Sequence, residues 1–266
     1  MPRLNIIAKG NGDVRSVLHA LHEDGEVRWN GINTILRQRF PGWTARVTHE
    51  TMTRSDAVLA AGPEAPASLL DRQLPLGPFA VEGQFHTRLF DGPADVVVLS
   101  IQPDVMNDLV RGRADGRLFY PYEARAWPAA DRRWLGEAFL PEPALDAARS
   151  MDNLARIVSR LRRAGDPQIL VFNLSPVVPW ERVHCYQGID ETLAQRIRRF
   201  NLALTELSAE HGVSIVDVDA VLARAGAERL KVDAVTLNEE GCRLVCEEVV
   251  RVLEDLGCFG DSGAGA

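Results

Sequence analysis

The chain has 266 residues, 46% hydrophobic and 25% charged, which suits one large α/β domain or two small ones. A net charge of −7 argues against a nucleic-acid surface, and no stretch approaches the ~20 apolar residues of a membrane span. The apolar run Leu4–Ala8 is too short for a secretory signal, so the expected location is cytoplasmic, with neither membrane nor nucleic acid as partner.

The first strand is predicted at "LNIIAK" (4–9), broken by Gly10 and Gly12 before a helical stretch at 13–24. A second helix at 31–39 leads to a strand at "WTARVTH" (43–49). Residues 60–93, rich in proline and glycine, are expected to form a surface excursion. The strand "ADVVVLSI" (94–101) precedes an insertion, 103–143, in which Arg111, Arg113 and Arg117 mix with Tyr120, Tyr122 and Trp127. So long a segment with so many aromatics predicts an ordered lid or partner surface. Then come a helix at 144–164, the strand "QILVFNL" (168–174), a helix at 189–211 stopped by Gly212, and the strand "VSIVDV" (213–218). Asn238 opens the last helix, 238–256, with Glu239 and Glu240 in its first turn.

Apolar runs alternating with helices indicate an α/β protein, a three-layer α/β/α sandwich around a parallel, flavodoxin-like five-stranded sheet. One domain is expected over 1–258, with a flexible tail at 259–266 that contains "GDSG", a motif lacking the strand and helix its chemistry needs. Cys185, Cys242, Cys246 and Cys258 lack metal-ligand spacing and are read as reduced thiols, so no metal or other cofactor is expected.

Ligands of open parallel sheets bind beyond the carboxyl ends of the strands. That rule selects "KGNGDVRS", "HETMTRS", "QPDVMND", "NLSPVVPW" and "KVDAVTLNEEG". Lys9, Asn11 and Arg15 around a glycine turn suit an anionic group, although Arg15 replaces the third glycine of a dinucleotide fingerprint. Ser16 and His19 share a helix face. His49, directly after a strand, and His86, in the excursion, read as structural or exposed histidines, and the adjacent His184 and Cys185 are poorly placed to form a dyad.

In order and spacing these segments resemble the sequence blocks of the SGNH (GDSL-like) hydrolases. "GNGDVRS" aligns Gly12 and Asp13 with that family's Gly-Asp-Ser block, with Val14 at the serine. "SIQPDV" keeps Asp104 of the Gly-x-Asn-Asp block, with Ile101 at the glycine and Pro103 at the asparagine. "DAVTLNEEG" keeps Asp233, Leu237, Asn238 and Gly241, with Thr236 at the histidine. The second-block glycine has no clear counterpart; Arg54 and Ser55 lie nearest. The resemblance implies the fold, while its serine chemistry is not expected: valine has no proton to lose, threonine is no base near neutral pH, and proline has no N–H.

The expected function is therefore a divergent SGNH-like enzyme acting on a small polar or anionic metabolite without a serine triad. Asp13, Asp104 and Asp233 would supply acid–base chemistry, the first and last facing each other as their family counterparts do. Lys9, Asn11, Arg15, Gln102, Thr236 and Asn238 would bind the ligand. The alternatives are a non-catalytic binding protein on the same scaffold, and an esterase or acyltransferase whose nucleophile has moved to Ser16.

Overall fold

The computed structural model describes residues 2–23, 26–62, 64–179, 181 and 191–260. His184, Cys185 and the residues beyond Gly260 lie outside this set. Five parallel strands form the central sheet: β1 (Arg3–Lys9), β2 (Thr44–Glu50), β3 (Val96–Ser100), β4 (Gln168–Phe172) and β5 (Ser214–Val216). Their order is β2-β1-β3-β4-β5, the flavodoxin-like arrangement. Ile6 pairs with Val47 on one side and Val96 on the other, which brings the carboxyl ends of β1 and β3 together.

The layers follow from the two-residue period of a strand. In β3, Val96 and Val98 enter one core, as do Leu170 and Phe172 of β4; Val97, Leu99, Ile169 and Val171 enter the other. The first core is closed by α1 (Gly12–Leu18), α2 (Ile32–Arg39) and the C-terminal helices. The second is closed by α3 (Ser55–Ala60), α4 (Gln102–Met106), α5 (Ala147–Ala164) and α6 (Leu193–His211). Beyond β5 come α7 (Val218–Ala225) and α8 (Glu239–Asp255). The long helices are capped by side chains: Asp146 opens α5, a Thr192–Gln195 capping box opens α6, and Asn238 opens α8.

Three expectations need correction. The first helix stops at Leu18, because His19 is extended and residues 20–23 and 26–30 pair as an antiparallel ribbon. Gly31 lies against this turn in a left-handed conformation, and a Cβ there would stand 2.4 Å from the Leu18 carbonyl oxygen. The excursion and the insertion are not separate surface features, since Leu69, Phe79 and Phe85 share a third core with Phe119, Trp127 and Phe139. Gln84 ties them further, donating to the carbonyls of Phe79 and Tyr120 and accepting from the Tyr120 N–H. Finally, Phe259 is docked rather than part of a tail, stacking on Phe40 at 4.2 Å between ring centres.

Among the described residues no helix is long and apolar enough to cross a membrane. Cys242 and Cys246 face the first core, where burial pushes the Cys242 thiol up to about 12 and the Cys246 thiol further in the same direction.

Candidate active-site cleft

A two-lobed cleft opens where β1 and β2 end. The narrower lobe, about 560 Å³, has Asn11, Gly12, Arg15 and Ser16 on one wall and Gln102 and Asn107 beside them. Pro78, Phe79, Tyr120 and Tyr122, from the two insertions, roof it. The wider lobe, about 810 Å³, adds His19, Glu50, Glu82 and His86. Arg15, His49, Thr51 and Pro78 line both lobes and so mark their junction.

The β1–α1 corner is held by a chain of hydrogen bonds. Asn11 Nδ2 donates to Gln102 Oε1 at 2.8 Å, and Asn11 Oδ1 accepts from the Met52 N–H at 3.2 Å. Below them Asp13 accepts from the Asn11 N–H at 3.1 Å and from the Ser100 hydroxyl, which itself accepts from the Gln102 N–H. Asp13 thus turns away from the cleft and fixes the two amides that line it. Burial raises its carboxyl above the ordinary range, against the hydrogen bonds from Ser100 and the backbone. Among the described residues Gln102 Nε2 donates to no protein group, which leaves an amide donor at the cleft wall.

Val14, aligned with the family serine, is fully buried in the first core. Its i, i+3, i+4 spacing with Val17 and Leu18 is a core stripe, and that spacing was visible in the sequence. The corner residue that faces the cavity is Gly12, where a Cβ would meet nothing within 4 Å. Of the predicted binding residues, Asn11, Arg15 and Gln102 line the cleft. Lys9 does not; it is buried against Glu50 at 3.0 Å, and Glu50 also accepts from the Thr87 hydroxyl and the Arg88 N–H. Ser16, the alternative nucleophile, lines the narrower lobe.

Asp104 and Asp233 line neither lobe. Asp104 is buried between helices, accepting from the Ser55 N–H at 2.6 Å and the Ser150 hydroxyl at 2.5 Å. Burial outweighs these bonds and pushes its carboxyl up to about 6. Asp233 accepts from the N–H groups of Val235 and Thr236 and from the Thr236 hydroxyl. Burial alone would raise its carboxyl, but these bonds hold it below the ordinary range. Asn238 is spent as the α8 cap, accepting from Gly241 and donating to the Arg229 carbonyl. Neither Asp13 nor Asp233 bonds to the other, so no carboxylate pair forms. Arg54 is fully buried on Asp56 and the Pro143 carbonyl. Arg111 of the insertion pairs with Glu142, and none of the insertion's arginines lines either lobe.

The histidines stand out by contrast. His19 and His49 meet edge-to-face, 5.9 Å between ring centres, and both Nε2 atoms are buried with no hydrogen-bond partner. Burial, then His19, then Arg15 push the His49 imidazole down to about 4; burial and Arg15 lower His19. Both rings are therefore neutral near neutral pH. Among the described residues no three His, Cys, Asp or Glu side chains converge as metal ligands. The sequence reading placed Tyr120 and Tyr122 in an expected lid and Asn107 in a strand-end segment without naming them as binding residues, and it missed Phe79.

These features define an α/β/α scaffold with a cleft at the topological switch of its sheet. The chain is similar to an α/β hydrolase enzyme from the metagenome of Lake Arreo, Spain (12% identity, 97% of each chain covered, TM-score 0.52). It is also similar to a lipase/acylhydrolase from Enterococcus faecalis (10% identity, 96% of this chain and 97% of that one, TM-score 0.51). A member of the lipolytic protein G-D-S-L family from Veillonella parvula aligns over 94% of this chain and 98% of its own, at 13% identity and TM-score 0.49. The chain has the fold of the SGNH hydrolases, and at these identities the likeness is one of fold alone. The sequence matches no protein-family model and no curated protein.

Proposed function

We propose that the protein is a divergent SGNH-like enzyme that acts on a small polar or anionic metabolite in this cleft without a serine triad. The observation that carries the reading is the junction: Arg15 and His49 line both lobes, beside the unspent amide donor of Gln102. Gln102 stands next to Pro103 and supplies the N–H that proline lacks. His49 is the group that would move a proton, in place of the three aspartates first expected to do so. Tyr120, Tyr122 and Phe79 would cover the bound molecule and limit water. The test is a thermal-shift screen of small metabolites, followed by mass-spectrometric analysis of turnover for each compound that binds. Compounds whose protection is lost in both Arg15→Ala and Gln102→Ala support the reading. Protection that survives both substitutions argues against it. Binding without turnover would favour the non-catalytic alternative.

One observation favours a second reading, a relocated nucleophile: Ser16 and His49 line the same lobe. A fluorophosphonate probe that labels the protein and fails on Ser16→Ala would establish it. No labelling at concentrations that modify an ordinary serine esterase would discard it.

A further inference from the structure

We propose that the junction of the two lobes is an oxyanion-binding site, in which Arg15 and the facing imidazoles of His19 and His49 hold a phosphoryl or carboxylate group of the substrate. The inference rests on the cleft being the substrate site and names the chemical group it selects.

The first support is an imbalance of hydrogen bonds. Among the described residues, the two Nε2 atoms are the only buried side-chain nitrogens or oxygens without a partner. Such an atom is costly to keep, and both rings, 5.9 Å apart from centre to centre, line the wider lobe, so a bound group toward which they turn would supply the missing partners. The second support is charge. Lys9 and Glu50 neutralise each other, and Glu50 is further occupied by Thr87 and Arg88. Glu82 and His86 are exposed groups that line the wider lobe together with His19 and not the narrower one. Arg15, open to solvent at the junction, bonds to no carboxylate among the residues whose side chains are described.

The three possible kinds of ligand group meet this site differently. A cation would face Arg15. A neutral group could satisfy the imidazoles but would leave the guanidinium without a counter-charge. An oxyanion serves all three, because it accepts from the guanidinium and from any imidazole N–H turned toward it. It also changes the protonation of the site. Without it, burial, the neighbouring ring and Arg15 keep His49 neutral. A negative group offsets Arg15 and favours the imidazolium, so binding draws a proton onto the histidine pair. That proton is then held beside the substrate, where a general acid is needed.

Calorimetry with inorganic phosphate and separately with acetate, each near neutral pH in two buffers of different ionisation enthalpy, tests the proposal. The expected result is binding of at least one anion with net proton uptake. Imidazole ¹⁵N signals of His19 or His49 should move toward the protonated form. Arg15→Gln should weaken binding by about tenfold or more, and His49→Gln should reduce the proton uptake while circular dichroism stays unchanged. Should His49→Gln fail to fold, Arg15→Lys, which keeps the charge and is expected to keep proton uptake, carries the test. Phosphate without acetate identifies a phosphoryl group; acetate binding as well as or better than phosphate identifies a carboxylate. Absence of binding by both anions, or binding insensitive to Arg15→Gln, overturns the proposal. If metabolites from the thermal-shift screen still occupy the cleft, the site falls while the proposed function stands; if nothing binds, both fall.

Discussion

Two polar segments lie beyond the ends of the central strands, and they use their side chains in opposite ways. From Lys231 to Gly241 nearly every polar group is claimed by the fold. Lys231 Nζ donates to the carbonyls of Ser175 and Val177, Asp233 holds its own turn, and Asn238 caps α8. Around the β1 corner groups are left over: the Gln102 amide, the Arg15 guanidinium and two imidazole nitrogens. A polar residue serves chemistry only when the backbone around it has no use for it. By that rule the proposed site belongs at the β1 corner, and the segment before α8 to the scaffold.

The largest expected effect tests the scaffold side. Asp104→Ala orphans the Ser55 N–H and the Ser150 hydroxyl in a buried setting, and should cost about 3 kcal/mol of unfolding free energy in urea. Asp104→Asn keeps an acceptor for Ser55 and turns its NH₂ toward Ser150, so stability should be nearly retained. Loss of turnover in a stably folded Asp104→Asn protein would move Asp104 to the functional side and break the comparison. Next in size, Asn238→Ala removes the α8 cap and should cost about 1 kcal/mol, with ligand affinity unchanged. Weakened binding in that variant would return Asn238 to the binding residues.

Acid sensitivity sharpens the other side. Folded His49 stays neutral down to about 4, whereas the unfolded residue takes up a proton near its ordinary 6.5. Between those values the unfolded state binds more protons, so this histidine removes stability as pH falls. Asp104 contributes with the opposite sign, because its folded carboxyl keeps its proton up to about 6 and the unfolded one loses it near 3.8. The two oppose each other in the wild-type slope, to which His19 adds in the direction of His49 and Asp13 in that of Asp104. His49→Gln should therefore shift the urea midpoint toward greater relative stability at acid pH. An unchanged pH profile would mean that His49 is not held neutral by its surroundings.

The sheet was legible because its signal is local. Val96–Leu99 and Ile169–Phe172 are continuous apolar runs, short and rich in β-branched residues, which suit a strand buried on both faces. The strand-end rule likewise located the β1 corner. What the sequence could not convey is which polar atoms the backbone would claim. Asp13 and Asp104 look like catalytic carboxylates in a string of letters, and their partners, Ser100, Ser55 and Ser150, are 46 to 87 residues away. His19 and His49 meet only because β1 and β2 pair in register, Ala8 against His49 and Lys9 against Glu50. The cleft roof depends on a core shared by two insertions that the sequence presents as unrelated.

The smallest expected effect falls at the corner itself. Gly12 faces the cleft and a Cβ there touches nothing, so Gly12→Ser should fold with stability changed by about 0.5 kcal/mol or less. It would set a hydroxyl in the lobe that His49 also lines. An imidazole held near 4 is a weak base at neutral pH, so the new serine should remain unlabelled by a fluorophosphonate. With the binding anion present the histidine carries its proton and cannot act as a base, so labelling should stay absent. Rapid labelling without any anion would show that the corner is already poised for serine chemistry and lacks only its hydroxyl. The difference between its two regions would then be one of a missing side chain rather than of a redirected site.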